Sequence, residues 1–352
     1  MKQDLIIQLE KIIGDTQADE KEIIHRLKRL LYEADLQSPF ARPSQNIADL
    51  ISENLNLISN GAPSENMVKT GFAEFDDTFG GFALGELVVI GGRPGMGKTQ
   101  LMVNLALQIA QSYPVLYFTF DLSIYALTNR FLASASNIAN DKILQKQLTP
   151  DELEQLTSQK KAFSTVPLYI NDSCNNSMSA FRAHCQQHIE AHGVKIIMVD
   201  YLQMMSASKH RNSRELEISY VSRELKNIAK DLNVCLIATS QLSRAVESRG
   251  GAYLSKHPQL SDLRESGAIE QDADKVIFLY RPAYYLITHD ENGNDIESLT
   301  ELILAKNRNG KLGTIKLEHN KNFTNYSSFK EYKNEFTFSE ERLNELRDEH
   351  IF

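Results

Sequence analysis

Apolar positions recur along this chain in two rhythms. Up to residue 60 they come every three or four places. Leu5, Ile6, Leu9, Ile12 and Ile13 form one stripe, and Ile23, Ile24, Leu27, Leu30 and Leu31 form a second. After the break at Pro39 and Pro43, Ile47, Leu50, Ile51, Leu55 and Ile58 form a third. That spacing predicts three amphipathic helices, free to pack on one another, on the rest of the chain or on a second copy. Gly61-Ala62-Pro63-Ser64 then reads as a linker. From Thr70 onward the rhythm changes to short continuous apolar runs at 87–90, 115–120, 168–170, 195–199, 234–239, 276–280 and 302–305. Helical spacing separates most of the earlier runs, notably over 216–232. Buried strands alternating with helices predict a largely parallel sheet covered on both faces.

Ligands of such sheets collect at the carboxyl ends of the strands, and those ends carry polar groups here. The run 87–90 leads into Gly92-Arg93-Pro94-Gly95-Met96-Gly97-Lys98-Thr99, and a helical pattern follows. Strand, glycine-rich loop with Lys and Thr, then helix is the arrangement of a phosphate-binding P-loop. The glycines let successive N–H groups turn toward phosphate oxygens, and the new helix adds the positive end of its dipole. Lys98 can reach the β- and γ-phosphates and Thr99 can hold Mg²⁺, which points to nucleotide binding. Asp200 ends the run 195–199, where a P-loop protein places a Walker B carboxylate for Mg²⁺. Ser240 and Gln241 end the run 234–239 and either sense the γ-phosphate or make a structural hydrogen bond. Asp121 ends the run 115–120 as either a water-activating base or a strand cap. Near the C-terminus, Asn309-Gly310 is a hairpin-turn signal. Lys306 and Arg308, of like parity, face one side of that ribbon, either as a cationic finger for a neighbour's nucleotide or as a solvated turn.

Composition narrows the function classes. The 352 residues suffice for one large α/β domain plus an appendage, and no apolar stretch reaches the length of a membrane span. The N-terminus lacks the pattern of a secretory signal. Cys174, Cys185 and Cys235 have no metal-ligand spacing and suit a reducing cytoplasm. The formal charge of −8 argues against a broadly basic surface, though not against nucleic acid gripped by a few loops in a channel.

Several longer segments together resemble the DnaB-type replicative helicases. The segment from Ser261 through Arg264, Glu265, Ser266 and Gly267 to Asp274 carries the resemblance most strongly. It is joined by Val199-Asp200-Tyr201-Leu202-Gln203, Ser240-Gln241-Leu242-Ser243-Arg244, Lys306-Asn307-Arg308-Asn309-Gly310, Thr70-Gly71-Phe72 with Phe75-Asp76, and the Arg93-Pro94 form of the P-loop. The likeness runs from about Lys69 to Tyr326. It implies a RecA-like P-loop NTPase fold, a mainly parallel central sheet flanked by helices, with ATP and Mg²⁺ between the subunits of a homo-hexameric ring and single-stranded DNA in its channel. Matched residue by residue, Gly92 to Thr99 form the nucleotide cradle, Asp200 is Walker B, and Gln241 couples nucleotide state to the DNA loops. Arg130 matches an arginine near the phosphates, Asp121 the position that activates water, and Lys306 and Arg308 the pair acting on the next subunit's site. Arg264, Glu265 and Gly267 match the channel loop that touches the DNA backbone, a contact that is sequence-independent and salt-sensitive. Lys209 and Arg211, in the loop after Asp200, read as a plain solvated loop in preference to added charge for the channel.

The chain departs from that family twice. Asp121 stands where the family usually has Glu, one methylene longer, and a displacement of about 1 Å can cost on the order of 10²-fold in rate. The family's N-terminal collar, its usual primase-docking element, is longer than the segment before Pro39, and no match to it is visible, so primase stimulation is not implied. The helix over 44–59 corresponds to the family's linker helix, which packs on the next subunit. The expected organisation is a helical N-terminal segment (1–40), linker helix and linker (41–66), RecA-like ATPase domain (67–326) and charged tail (327–352). In the tail, Phe336, Phe338, Leu343 and Leu346 read as a short amphipathic helix. The expected function is ATP-dependent DNA unwinding at a replication fork in the cytoplasm of a bacterium, by a host, phage or mobile-element enzyme, served by a helicase loader. The alternatives are a RecA-like regulatory ATPase or clamp without unwinding, and a scaffold that uses ATP only to hold its oligomer.

Overall fold

A nine-stranded sheet organises the protein, as seen in a computed structural model that describes residues 2–14, 22–27, 30, 44–59, 66–172, 177–206, 213–247, 249, 256–263 and 267–329. Cys174, Lys209, Arg211, Arg264, Glu265 and the tail helix expected around Phe336 lie outside the described residues.

Among the described residues of the N-terminal segment, helices form where the spacing predicts them, in α1 (Lys2–Ile13), α2 (residues 22–27) and α3 (Ile47–Ser59). Most of the apolar stripe of α3 is open among the described residues: Ile47, Ile51, Leu55 and Ile58 are exposed, and Leu50 is half-buried. A short ribbon of β1 (Met67–Val68) and β2 (Phe82–Ala83), bridged by α4 (Ala73–Phe79), opens the domain. Asp76 fixes this entrance. Its carboxylate accepts hydrogen bonds from the N–H of Thr70 at 2.8 Å and of Gly71 at 3.2 Å.

The main sheet runs β11-β10-β9-β8-β3-β7-β6-β4-β5. Its parallel members are β3 (Leu87–Gly92), β4 (Val115–Thr119), β5 (Leu168–Asn171), β6 (Ile196–Asp200), β7 (Cys235–Gln241) and β8 (Lys275–Tyr280). β9 (Leu299–Asn307), β10 (Gly313–His319) and β11 (Tyr326–Ser328) add an antiparallel flank. The 302–305 run is thus the middle of a nine-residue strand, and the sheet crosses the expected 326/327 border by way of β11.

β3 lies centrally because both its faces are apolar. Val88 and Ile90 join the core made with α5 (Lys98–Ile109) and α6 (Ile124–Ser136). Leu87 and Val89 join the opposite core, with α9 (Met178–His192), α10 (Arg214–Leu232) and α11 (Gly267–Asp272). Each such side chain contributes roughly 1.5–3 kcal/mol on burial. α10 is placed by the same rule, since Ile218, Val221, Leu225, Ile228 and Leu232 fall on one buried face at helical spacing. The short α7 (Asn140–Gln145) and α8 (Pro150–Phe163) pack against α6, and α8 begins in a capping box of Thr149 and Glu152.

Candidate nucleotide-binding site

Four parallel strands deliver their carboxyl ends to one rim. β3 pairs with β7 so that Gly92 stands opposite Gln241, and β4 pairs with β6 so that Thr119 stands opposite Asp200. The loop after Gly92 turns through Gly95 and Gly97, both with positive φ, and α5 starts at Lys98. At Gly97 (φ 102°) a Cβ would also lie 2.7 Å from the Tyr326 hydroxyl, so only glycine fits. No side chain caps α5, which leaves the N–H groups of its first turn facing the rim.

The side chains of this loop diverge. Pro94 and Gly95 are exposed, whereas Met96 is buried in the core, so Met96 can offer a ligand only its main chain. Arg93 is also buried. Its guanidinium donates to the Leu242 carbonyl at 2.6 Å and to the Glu247 carboxylate at 2.8 Å, both in the segment that follows β7. Lys98 curls back, donating from Nζ to the carbonyls of Gly92 at 2.8 Å and Arg93 at 3.1 Å. Burial lowers its pKa to about 8; the carboxylates of Asp200 and Asp121 oppose the shift, while Arg93 adds to it. Both acids therefore lie within electrostatic reach of the lysine.

Asp200 is buried, and hydroxyls rather than a cation hold its carboxylate. Thr239 Oγ1 donates to one oxygen at 2.5 Å and Tyr117 Oη to the other at 3.3 Å. Burial first, and then the neighbouring Asp200 charge, push the Tyr117 hydroxyl well above its usual pKa, so it stays a donor. Asp121 is exposed one residue past the end of the β4 run, and Arg130 on α6 is near enough to act on Tyr117. The peptide after Asp200 is cis. Gln203 then reaches across to β7, donating to Ser240 Oγ at 2.8 Å and accepting from the Gln241 N–H at 3.3 Å. Among the described residues no cluster of three or more His, Cys, Asp or Glu could hold a metal by itself. The Thr99 hydroxyl and the Asp200 carboxylate are hard oxygen ligands of the kind Mg²⁺ takes when phosphate and water complete its shell. The donor set therefore fits that ion.

Lys306 and Arg308 stand elsewhere. Lys306 pairs with Val276 at the beginning of β8, while Gly91 lies beside Phe278 farther along. Both cations cap the C-terminal end of α11. Lys306 donates to the Glu270 and Gln271 carbonyls, and Arg308 donates to the Gln271 carbonyl and to Asp274, the last at 3.3 Å. They share one side of the ribbon, as their parity predicts. That side faces the amino end of the parallel strands, separated from the glycine loop by about 10 Å of strand before the loop projects farther. Gly267, the described member of the Arg264, Glu265 and Gly267 set, begins the helix that these cations cap.

Sequence spacing misses Tyr117, Thr239 and Gln203, because their roles come from cross-strand neighbours that no local pattern records. It also misses Tyr284, whose ring lies beside the loop, 3.4 Å from the Cβ position of Gly95.

The DnaB-like helicase C terminal domain family matches residues 67–328. The chain is 40% identical over 266 residues to a probable replicative DNA helicase of Trieres chinensis, covering 74% of this chain and 57% of that protein. The match thus spans little more than half the length of that relative. The chain is 34% identical over 320 residues to the replicative DNA helicase DnaB of Geobacillus stearothermophilus, covering 89% of this chain and 68% of that protein. Among solved structures, one described as an ATPase domain superposes with a TM-score of 0.74 at 31% identity, covering 82% of this chain and 100% of that one. A DnaB-like replicative helicase, described with its interactions with primase, superposes with a TM-score of 0.75 at 29% identity. That match covers 94% of this chain and 76% of the other. This is more of the chain than lies after residue 66, so the likeness reaches into the helical N-terminal segment, where sequence reading finds no match.

Proposed function

Since the chain belongs to the DnaB-like helicase C-terminal domain family, we propose that it is an ATP-driven DNA helicase motor that completes its nucleotide site only between protomers. The observation that carries this reading is the separation of the two halves of the machinery within one chain. The glycine loop, Lys98, Asp200 and Gln241 share the carboxyl rim of the sheet, whereas Lys306 and Arg308 occupy its amino end. Cations so placed serve the phosphates of a neighbouring protomer's cradle. Repeating that head-to-tail contact closes a ring, for which six subunits are the family expectation. The exposed apolar stripe of α3 supports the same assembly, since a neighbour would cover it.

In this reading the N–H groups of the loop and the first turn of α5 bind the phosphates, and Lys98 leaves its own carbonyls for the γ-phosphate. Thr99 and Asp200 hold Mg²⁺, which when bound neutralises phosphate charge. Thr239 and Tyr117 keep the Asp200 carboxylate in one orientation. Asp121 orients the attacking water, and Gln241, steadied by Gln203, senses the γ-phosphate. Arg264, Glu265 and Gly267 contact the backbone of single-stranded DNA, so binding is independent of base sequence and weakens with salt. The place of action is the cytoplasm, and a loader is a partner of the same reading; primase enters it only through the likeness to a helicase described with primase.

A second reading, a nucleotide-gated DNA clamp with slow hydrolysis, draws on the shortness and exposure of Asp121. Turnover measured against single-stranded DNA concentration separates the two. The motor shows DNA-stimulated hydrolysis that Lys98→Ala abolishes, together with fork unwinding that Arg264→Ala abolishes. Hydrolysis without strand separation, raised by Asp121→Glu, gives the clamp instead.

A further inference from the structure

Arg93 sits in the second position of the glycine loop, yet its side chain spends all three guanidinium nitrogens on another segment. Nη1 donates to the Leu242 carbonyl at 2.6 Å, while Nε and Nη2 reach one oxygen of Glu247 at 2.8 and 2.7 Å. A buried guanidinium needs such partners to offset its lost hydration, so the contact is held firmly. The backbone doubles it, with the Leu242 N–H reaching the Gly92 carbonyl at 3.4 Å.

The segment gripped by Arg93 is tied on its other side to the chain that leads toward Arg264. Ser243 N–H donates to the Asp262 carbonyl at 2.9 Å, Lys256 donates to the Glu247 carbonyl at 2.9 Å, and Arg249 pairs with the Asp262 carboxylate. Asp262 accepts in turn from the Gln259 N–H at 2.7 Å and stands two residues before Arg264. A continuous run of polar contacts therefore joins the phosphate loop to the approach of the DNA-facing segment, with the Arg93–Glu247 pair as its first member.

We infer that the Arg93–Glu247 ion pair is the strut by which nucleotide occupancy is transmitted from the glycine loop to the DNA-contacting segment, and that Glu247 is a positioning residue for this coupling. The inference rests on the motor reading, because it needs both ligands. A loop that reshapes around a triphosphate moves Arg93, and Arg93 drags the 242–247 segment and Asp262 with it. Coupling of this kind is reciprocal: nucleotide tightens DNA binding by the same factor as DNA tightens nucleotide binding. The Glu247 side chain is 40% exposed, so it can be changed without opening the core.

The test measures the affinity of the full chain for a fluorescent oligothymidine, with and without Mg²⁺ and a non-hydrolysable ATP analogue. In the unmodified protein the analogue should tighten DNA binding by on the order of tenfold, within the usual range of coupling. Glu247→Gln should bring that factor below about twofold while each ligand alone binds within about twofold of its original affinity. Glu247→Asp, which restores the charge, should recover most of the factor. If Glu247→Gln keeps the full factor, the strut is wrong. If it weakens both single-ligand affinities and leaves the factor intact, the pair is a fold element only, and the strut is again wrong. An unmodified protein that binds nucleotide but no oligothymidine overturns the motor reading itself, and the strut falls with it.

Discussion

At the scale of single residues, the site is tuned by burial more than by charge. Lys98 has carboxylates nearby that favour its ammonium form, yet burial outweighs them and brings its pKa down to about 8. A triphosphate placed against the amine adds negative charge and raises that pKa. The bound form then has the higher pKa, so binding takes up a proton. Affinity is accordingly strongest below the free-state value of about 8 and falls as pH rises through it. Titrations in buffers of different ionisation heat should show proton uptake near that pH. An affinity unchanged across the alkaline range, without proton uptake, would refute this account of Lys98. Tyr117 and Thr239 illustrate the complementary device, neutral donors that fix the Asp200 carboxylate without forming an ion pair that would compete with a metal.

At the scale of elements, α5 joins the cradle to the antiparallel flank. Its first two turns carry two buried amides, Gln100 and Asn104, and both reach the loop before β11. Gln100 donates to the Thr324 carbonyl at 2.6 Å, and Asn104 donates to the same carbonyl at 2.9 Å while accepting from the Tyr326 N–H at 3.2 Å. Tyr326 in turn packs beneath Gly97. Replacing Asn104 with alanine orphans a backbone donor and should cost about 2 kcal/mol, read as a lower denaturant midpoint with an unchanged m-value. A loss under ~0.5 kcal/mol, the size of an ordinary surface change, would mean that the amide is not a tie.

The legibility of the sequence divides along the same line between local and long-range causes. β3, β4, β6, β7 and β8 are readable because strands buried on both faces are continuous apolar runs, and the glycine loop is readable because its chemistry is confined to eight consecutive residues. β9 reads short because Thr300, Glu301 and Lys306 interrupt its apolar run, although all three lie inside the strand. β11 escapes notice because three residues, Tyr326-Ser327-Ser328, carry no strand signal without β10 beside them. Arg93 reads as part of the phosphate loop, and only the fold reveals that its side chain leaves that loop for Glu247. The Gln203 bridge to β7 is likewise invisible, since its partners are 37 and 38 positions away.

At the scale of the whole molecule, the shared-site reading gives one protomer two half-sites on opposite ends of its sheet. The α11 cap that now holds Lys306 and Arg308 is then what an isolated chain makes of cations lacking their phosphate. Burial, followed by repulsion from Arg308, already lowers the pKa of Lys306, so its charge gains from an anion brought close to it. The most direct test of a site shared between protomers mixes two inactive variants, Lys98→Ala and Arg308→Ala. Each alone should hydrolyse almost no ATP in the presence of single-stranded DNA. Co-assembled in equal amounts, they should recover about a quarter of the unmodified rate, the share of random interfaces that pair an intact cradle with an intact arginine. Mixed oligomers, verified by mass, that remain as inactive as their parents would contradict the shared site.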